Sequence, residues 1–518
     1  MTRMRPVELH EGDGPADEDV AETRDEPGVL AVPDAPLVPG KPRGAGGTDR
    51  AGRSRGRGFL VGGAVVLVVG AFVVQDVVEA RREAHVARFD DVPGVLAPLD
   101  AFPVLHDGVE VPSQHALAQV GDVVLVQREG DAATVRVEAL DRATGATVWT
   151  QDVAVPADLR ALAEDDPDPY DLRCRAAGTD VAVCALQPAV TALGSGVPDL
   201  LVALDAADGA VLDRQPLTAE DWAVLGESVL TLGPSEVQVA VPEAEDDEAA
   251  GADGDTGTDD QGVATWSVEA RSPVDGVTRW VWTARTTVPY DPQHVGGALL
   301  ETSAEHVLVR VPGHWWLLAA DDAAVVSEGD QAEDEWLALG RGGALVSGTY
   351  ESETFEDGSV AYTPVSGEEG FPAVLAVDDG SAPEATFTRM PDDVLRARDV
   401  RTGALLWEHP TSGAEPILLD GTVHVLDRAK VLALDARTGD ERWSAPAGDE
   451  VTSLATDGRR LLALPGFGGL LRAFARDDGS VVWEGTLPAA FPQVVAVQGV
   501  LLATDQDGAD PTLVVPRP

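Results

Sequence analysis

The chain has 518 residues, enough for roughly two to four average domains or one large repeat array with appendages. Its 37 basic and 89 acidic side chains give a net charge of −52, which excludes a general nucleic-acid binder, because phosphate affinity rests on clustered Lys and Arg. With 44% hydrophobic residues the chain can still build a core, so it is not disordered throughout. Only two lysines (Lys41, Lys430) and one isoleucine (Ile417) occur, and asparagine is absent, which points to a bacterium with a G+C-rich genome and leaves no N-glycosylation site.

Residues 1–58 read as a disordered tail. Ten carboxylates fall between Glu8 and Asp34 among Pro and Gly, with no apolar period. The charge then reverses at Lys41, Arg43, Arg50, Arg53, Arg55 and Arg57. This basic run leads into sixteen apolar residues, Phe59 to Val74, and the segment 59–78 has the length of a membrane-spanning helix. The excess of Lys and Arg before the span places the tail in the cytoplasm and the bulk of the chain outside it. A leader cleaved after Ala80 is the other reading of the same run. A juxtamembrane helix and linker are expected over residues 79–95. The expected location is therefore the cell membrane, with the chain held by this single span and residues 96–518 extracytoplasmic.

Cys174 and Cys184 flank the turn A-G-T-D between two alternating apolar strands and lie symmetrically about residue 179. They face each other across an antiparallel hairpin, either as a disulfide staple suited to an oxidising compartment or as paired thiols. Two cysteines with no histidine near them in sequence do not make a metal site.

From about residue 115 the chain reads as short strands, and one string recurs. It stands at Ala139–Trp149, Arg396–Trp407, Ala433–Trp443 and, as a variant, Arg472–Trp483. Ala203–Asp213 keeps the turn without the Trp, Ala270–Trp280 has Ser272 in the Asp position, and Leu317–Val326 is a degenerate copy. Each copy is strand, tight turn, strand. The Asp bonds its own turn, the glycine takes a positive φ, and a Trp follows four residues later. The turn glycines are Gly145, Gly209, Gly276, Gly403, Gly439 and Gly479. One hairpin cannot bury a Trp alone, whereas stacked neighbours can. The spacing predicts an all-β fold, a seven- or eight-bladed β-propeller, with an acidic insertion near 243–262 and a further one near 350–391.

The string A-x-D-x-x-T-G-x-x-x-W, intact at Ala139–Trp149 and Ala433–Trp443, resembles the repeat of the PQQ-like (quinoprotein alcohol dehydrogenase-like) β-propellers. The resemblance covers roughly residues 115–510. It implies that Trp149, Trp280, Trp407, Trp443 and Trp483 dock between adjacent blades. The family includes quinoprotein dehydrogenases, cofactor-free assembly lipoproteins of the outer membrane and sensor domains of membrane kinases. The dehydrogenases hold PQQ and calcium with a carboxylate and an Asn, an Asp base and a disulfide of adjacent cysteines. This chain has no Asn, and its cysteines are ten positions apart, so no ligand, base or cofactor disulfide carries over.

No nucleophile elbow, phosphate loop, dinucleotide fingerprint or paired-histidine zinc motif is present. His424 and His314 read as strand histidines in packing roles. Two acidic stretches, around Asp253, Asp255 and Asp259 and around Asp505, Asp507 and Asp510, read as solvated loops, since neither completes a calcium loop. The sequence thus predicts a non-catalytic binding or scaffolding module with a protein partner at the cell envelope, without PQQ, calcium or other metal. A ligand sensor acting through the helix is the alternative, and a PQQ-dependent dehydrogenase the least supported.

Overall fold

The computed structural model describes residues 84–515, apart from positions 85, 90–91, 111–117, 129–132, 163–169, 189–198, 218, 220, 240–260, 290–297, 333–334, 355–359, 367–369, 449, 467, 489–492 and 505–511. The expected tail 1–58, the helix 59–78 and the acidic clusters at 253–259 and 505–510 lie outside the described residues. Of the expected juxtamembrane helix, residues 84, 86 and 87 are described as helical. Among the described residues no helix is long and apolar enough to cross a membrane.

The fold is a β-propeller. Nine sheets occur among the described residues, seven of four strands, one of three and one of five. In the sheet spanning 118–154 the strands Ala118–Val120, Val123–Arg128, Thr134–Asp141 and Thr147–Ala154 pair in chain order, each antiparallel to the last. The sheets over 170–217, 221–289, 299–330 and 451–486 repeat that meander. The middle strands are buried on both faces: Thr422–Asp427 is buried at five successive positions. Such strands read as continuous apolar runs because a neighbouring sheet covers each side.

The core accordingly sits between sheets. Val137 and Ala139 of one sheet share a cluster with Cys184, Val202 and Leu204 of the next. Phe387 and Leu395 meet Val425 and Leu434 in the same way. The ring closes with strands from opposite ends of the chain, Val104–Glu110 pairing antiparallel with Thr512–Val515.

Turn and Trp counting led to seven or eight blades. The sheet over 335–366 carries no such string, so that count does not register it. This sheet has three strands, Glu335–Leu339, Leu345–Thr354 and Val360–Ser366. Residues 350–391, read from the sequence as an insertion, are distributed over this sheet, the following one, to which Phe371–Pro372 and Ala385–Arg389 belong, and the five-stranded one, which Val377–Asp378 joins in parallel with Ile417 and Leu418.

Candidate functional site

The turns come first, because they set how the sheets meet. In the 118–154 sheet the Asp141 carboxylate accepts from the Thr144 amide at 2.7 Å and the Thr144 hydroxyl at 2.7 Å, while the Gly145 amide donates to the Asp141 carbonyl at 2.7 Å. Asp399, Thr402 and Gly403 repeat the arrangement. All six turn glycines have φ between 67° and 74°, the left-handed region. The degenerate copy places Ala323 there with φ 57° and keeps the backbone bond, the Ala323 amide donating to the Ala319 carbonyl at 3.0 Å, while Ala319 offers no carboxylate.

Four of the five Trp residues of the string reach the next sheet. Trp149 Nε1 donates to the Ala206 carbonyl at 2.8 Å, Trp280 to Ala320 at 3.1 Å, Trp407 to Ala436 at 3.0 Å and Trp443 to Arg476 at 2.8 Å. The acceptor in every case is the residue following the first turn position. The ring then lies on the turn glycine: a Cβ on Gly209, Gly439 or Gly479 would stand 2.6, 2.7 or 2.4 Å from the Trp of the preceding sheet. Where Asp213 replaces the Trp, the next turn is covered differently. Arg271 approaches Asp213 at 3.6 Å and occupies the space over Gly276. Trp483 donates to the Leu99 carbonyl at 3.1 Å and packs edge-on against Phe102.

Cys174 and Cys184 are directly opposite in register and joined by a disulfide, with Cα atoms 4.0 Å apart. Cys174 lines a small cavity of about 190 Å³ together with Gln119, Arg175 and Gln498.

A larger cavity of about 1040 Å³ opens where the inner strands of several sheets end. Its wall is made of Thr302, Val374–Asp378, Gly413–Glu415, Thr452–Ala455 and Ala496–Gly499, closed on one side by Pro93 and Gly94. Small neutral side chains and backbone dominate. Among the described residues the charged ones in the wall are Asp378 and Glu415, and Asp378 is held by Arg341 at 2.7 Å.

Residues 86–89 and 92–99 form a strap against the sheets, of which Pro93 and Gly94 line this cavity. Phe89 is 1% exposed and stands between the guanidinium groups of Arg88 and Arg476, 4.7 and 4.8 Å from its ring centre. Arg142 donates to the Val95 carbonyl at 3.0 Å, and the Leu96 amide to the Thr456 carbonyl at 2.8 Å. The buried Asp457 carboxylate accepts from the Leu99 amide at 3.0 Å and from Arg460 at 2.9 Å. Burial alone would lower the pKa of Arg460, but its bonds to Asp100 and Asp457 outweigh that and raise it. Asp100 is held below the usual carboxylate range by its bond to Arg460. Sequence reasoning missed this anchor. Its signal was the turn T-D-G-R-R at 456–460, which looks like any other hairpin until its partner 358 positions away is known.

His424 is buried beside Trp443, and neither ring nitrogen finds a hydrogen-bond partner. Burial first, then the Arg476 charge, push its pKa down to about 3, so it is neutral at physiological pH. His314 lies on a strand 3.0 Å from Asp330. Among the described residues no group of three or more His, Cys, Asp or Glu could hold a metal ion.

Comparison with known proteins identifies relatives at two levels. The family profile of the outer membrane protein assembly factor BamB matches residues 133–312 and 318–512. The serine/threonine-protein kinase AfsK of Streptomyces griseus is 36% identical over 108 residues, 18% of this chain and 13% of the kinase. The kinase AfsK of Streptomyces coelicolor is 45% identical over 64 residues, 11% of this chain and 8% of the kinase. The chain therefore spans a small part of the kinases it matches. Among solved structures, BamB from Moraxella catarrhalis is similar at 16% identity and a TM-score of 0.38, over 80% of this chain and 100% of that one. A quinohemoprotein alcohol dehydrogenase from Pseudomonas putida is similar at 12% identity and a TM-score of 0.36, over 83% of this chain and 81% of that one.

Proposed function

The chain belongs to the family of the outer membrane protein assembly factor BamB, and from that premise we propose that it is a non-catalytic binding and scaffolding propeller. In this reading residues 59–78 anchor it in the cell membrane, and residues 96–518 bind a protein partner at the envelope. The observation that carries the reading is the chemistry of the large cavity. PQQ is a tricarboxylate and needs cations around it, whereas among the described residues this wall offers two carboxylates and no basic side chain. With Asp378 already committed to Arg341, Glu415 alone does not make a calcium site either. The residues do not fit the cofactor of the dehydrogenases. A net charge of −52 suits a partner with a basic face, for which complementarity raises the rate of encounter.

Three experiments on the chain in lipid nanodiscs and in cells test this. Adding PQQ with Ca²⁺ is expected to leave the melting temperature unchanged and to give no alcohol-dependent dye reduction. Turnover would make the protein an enzyme. A photo-crosslinker at Val374, 66% exposed on the cavity rim, is expected to capture one envelope protein, with a yield that falls as salt rises. For topology, Asp392→Cys is expected to react with an impermeant maleimide in intact cells and Thr23→Cys to remain protected.

One observation favours a second reading, a ligand sensor. Pro93 and Gly94 of the strap form part of the cavity wall, so a bound molecule would touch the segment that follows the expected helix. A small molecule that slows hydrogen exchange across residues 92–99 would favour the sensor over the scaffold.

A further inference from the structure

We propose that the three-stranded sheet is completed in trans: an extended, Trp-bearing segment of another protein adds as its fourth strand along Val360–Ser366 and seats its ring on Gly403 of the next sheet. This inference deepens the protein-binding reading and rests on it.

The first observation is the missing strand. Every other sheet among the described residues has at least four, whereas Leu345–Thr354 and Val360–Ser366 end this one. No described strand pairs with the outer edge of Val360–Ser366. Pro364 sits in that strand, and proline within a sheet is confined largely to edges because it cannot donate to a ladder.

The second observation is the bare turn. Gly209, Gly439 and Gly479 each carry the Trp of the preceding sheet within 2.7 Å of where a Cβ would stand. Gly403 has the same turn bonds and a φ of 68°, yet among the described residues nothing lies within 4 Å of that point. The turn that receives a Trp is fully formed, and the strand that would deliver the Trp is the one its neighbour lacks. By position, the Val400 carbonyl corresponds to those of Ala206 and Ala436, which accept from an indole N–H.

The third observation fixes the source. All eleven tryptophans of the chain lie within described strands. The remaining segments hold none, and a second copy has the same inventory. The Trp therefore comes from a different protein, and the addition is heterologous. Main-chain bonds along the edge would supply affinity and the ring's seat would supply specificity, as in other strand-addition complexes.

The test uses the full-length chain and a labelled synthetic peptide with the sequence of residues 479–487, a Trp-bearing outer strand of the protein itself. We expect saturable binding, at least tenfold slower hydrogen exchange within 360–366, and at least tenfold weaker binding when the peptide's Trp is replaced by Ala. Gly403→Asn tolerates positive φ while filling the seat, so it should weaken the peptide at least tenfold and leave the melting temperature within a few degrees. Absence of binding, protection elsewhere (along Val481–Thr486, for example), or indifference to Gly403→Asn would each overturn the inference. If the cross-link at Val374 persists in that case, the scaffold reading stands without it; loss of both removes the reading.

Discussion

A turn glycine in this protein meets two separate demands, and they can be measured apart. Gly403 and Gly439 share the left-handed backbone, but only Gly439 also carries a Trp. Gly403→Ala should cost about 1 kcal/mol, the strain of a Cβ at positive φ. Gly439→Ala adds a clash with Trp407, and we expect a total of about 2–4 kcal/mol from chemical denaturation. His424 gives a second expectation at this scale. Its folded pKa is depressed to about 3, so the unfolded chain takes up the proton first. Stability from the neutral, buried ring is complete above the ordinary histidine pKa and is lost as pH falls from about 6.5 towards 3, by up to about 1.4 kcal/mol per unit. Melting temperatures between pH 6.5 and 5 should fall more steeply for the native chain than for His424→Leu. A parallel fall in both would remove the assignment.

At the scale of elements, the seams between sheets differ in chemistry although the turns are alike. Trp closes several, and the pair of Asp213 and Arg271 closes another where the Trp is absent. The Trp–turn string was legible because it is local and repeats. Which carbonyl each indole meets was not, since Ala206 lies 57 positions from Trp149 and Ala436 only 29 from Trp407. The hairpin 170–188 has its own staple. Replacing Cys174 and Cys184 by Ala removes a ten-residue crosslink, and we expect a loss of about 2–3 kcal/mol in denaturant titrations. Equal stability of the oxidised and Ala-substituted chains would show that the bond adds nothing to the fold.

For the whole molecule, closure is the controlling fact. The last blade is built from Val104–Glu110 together with three strands from the C-terminal end, so neither terminus is dispensable. Ending the chain at residue 511 removes Thr512–Val515 and uncouples the two ends. We expect such a chain to lose its single cooperative melting transition and to show early exchange in the sheet over 493–504. A second closure is the strap, whose contacts at Phe89, Leu96 and Leu99 join the beginning of the described chain to turns near Thr456 and Arg476. Nothing local announces this role, because the segment has no period, and Leu99 finds its partners Asp457 and Arg460 more than 300 positions away.

The repeat, the propeller class and the family were present in the sequence, because a hairpin turn and its Trp are set by neighbours a few residues apart. Three things waited for the tertiary structure. One is the three-stranded sheet, whose strands carry no string. Another is the cavity, whose wall of mostly small side chains with two carboxylates is assembled from segments far apart in the chain. The last is the vacancy over Gly403, which exists only by contrast with filled seats elsewhere. Local preferences decide which turns form, but long-range packing decides what covers them.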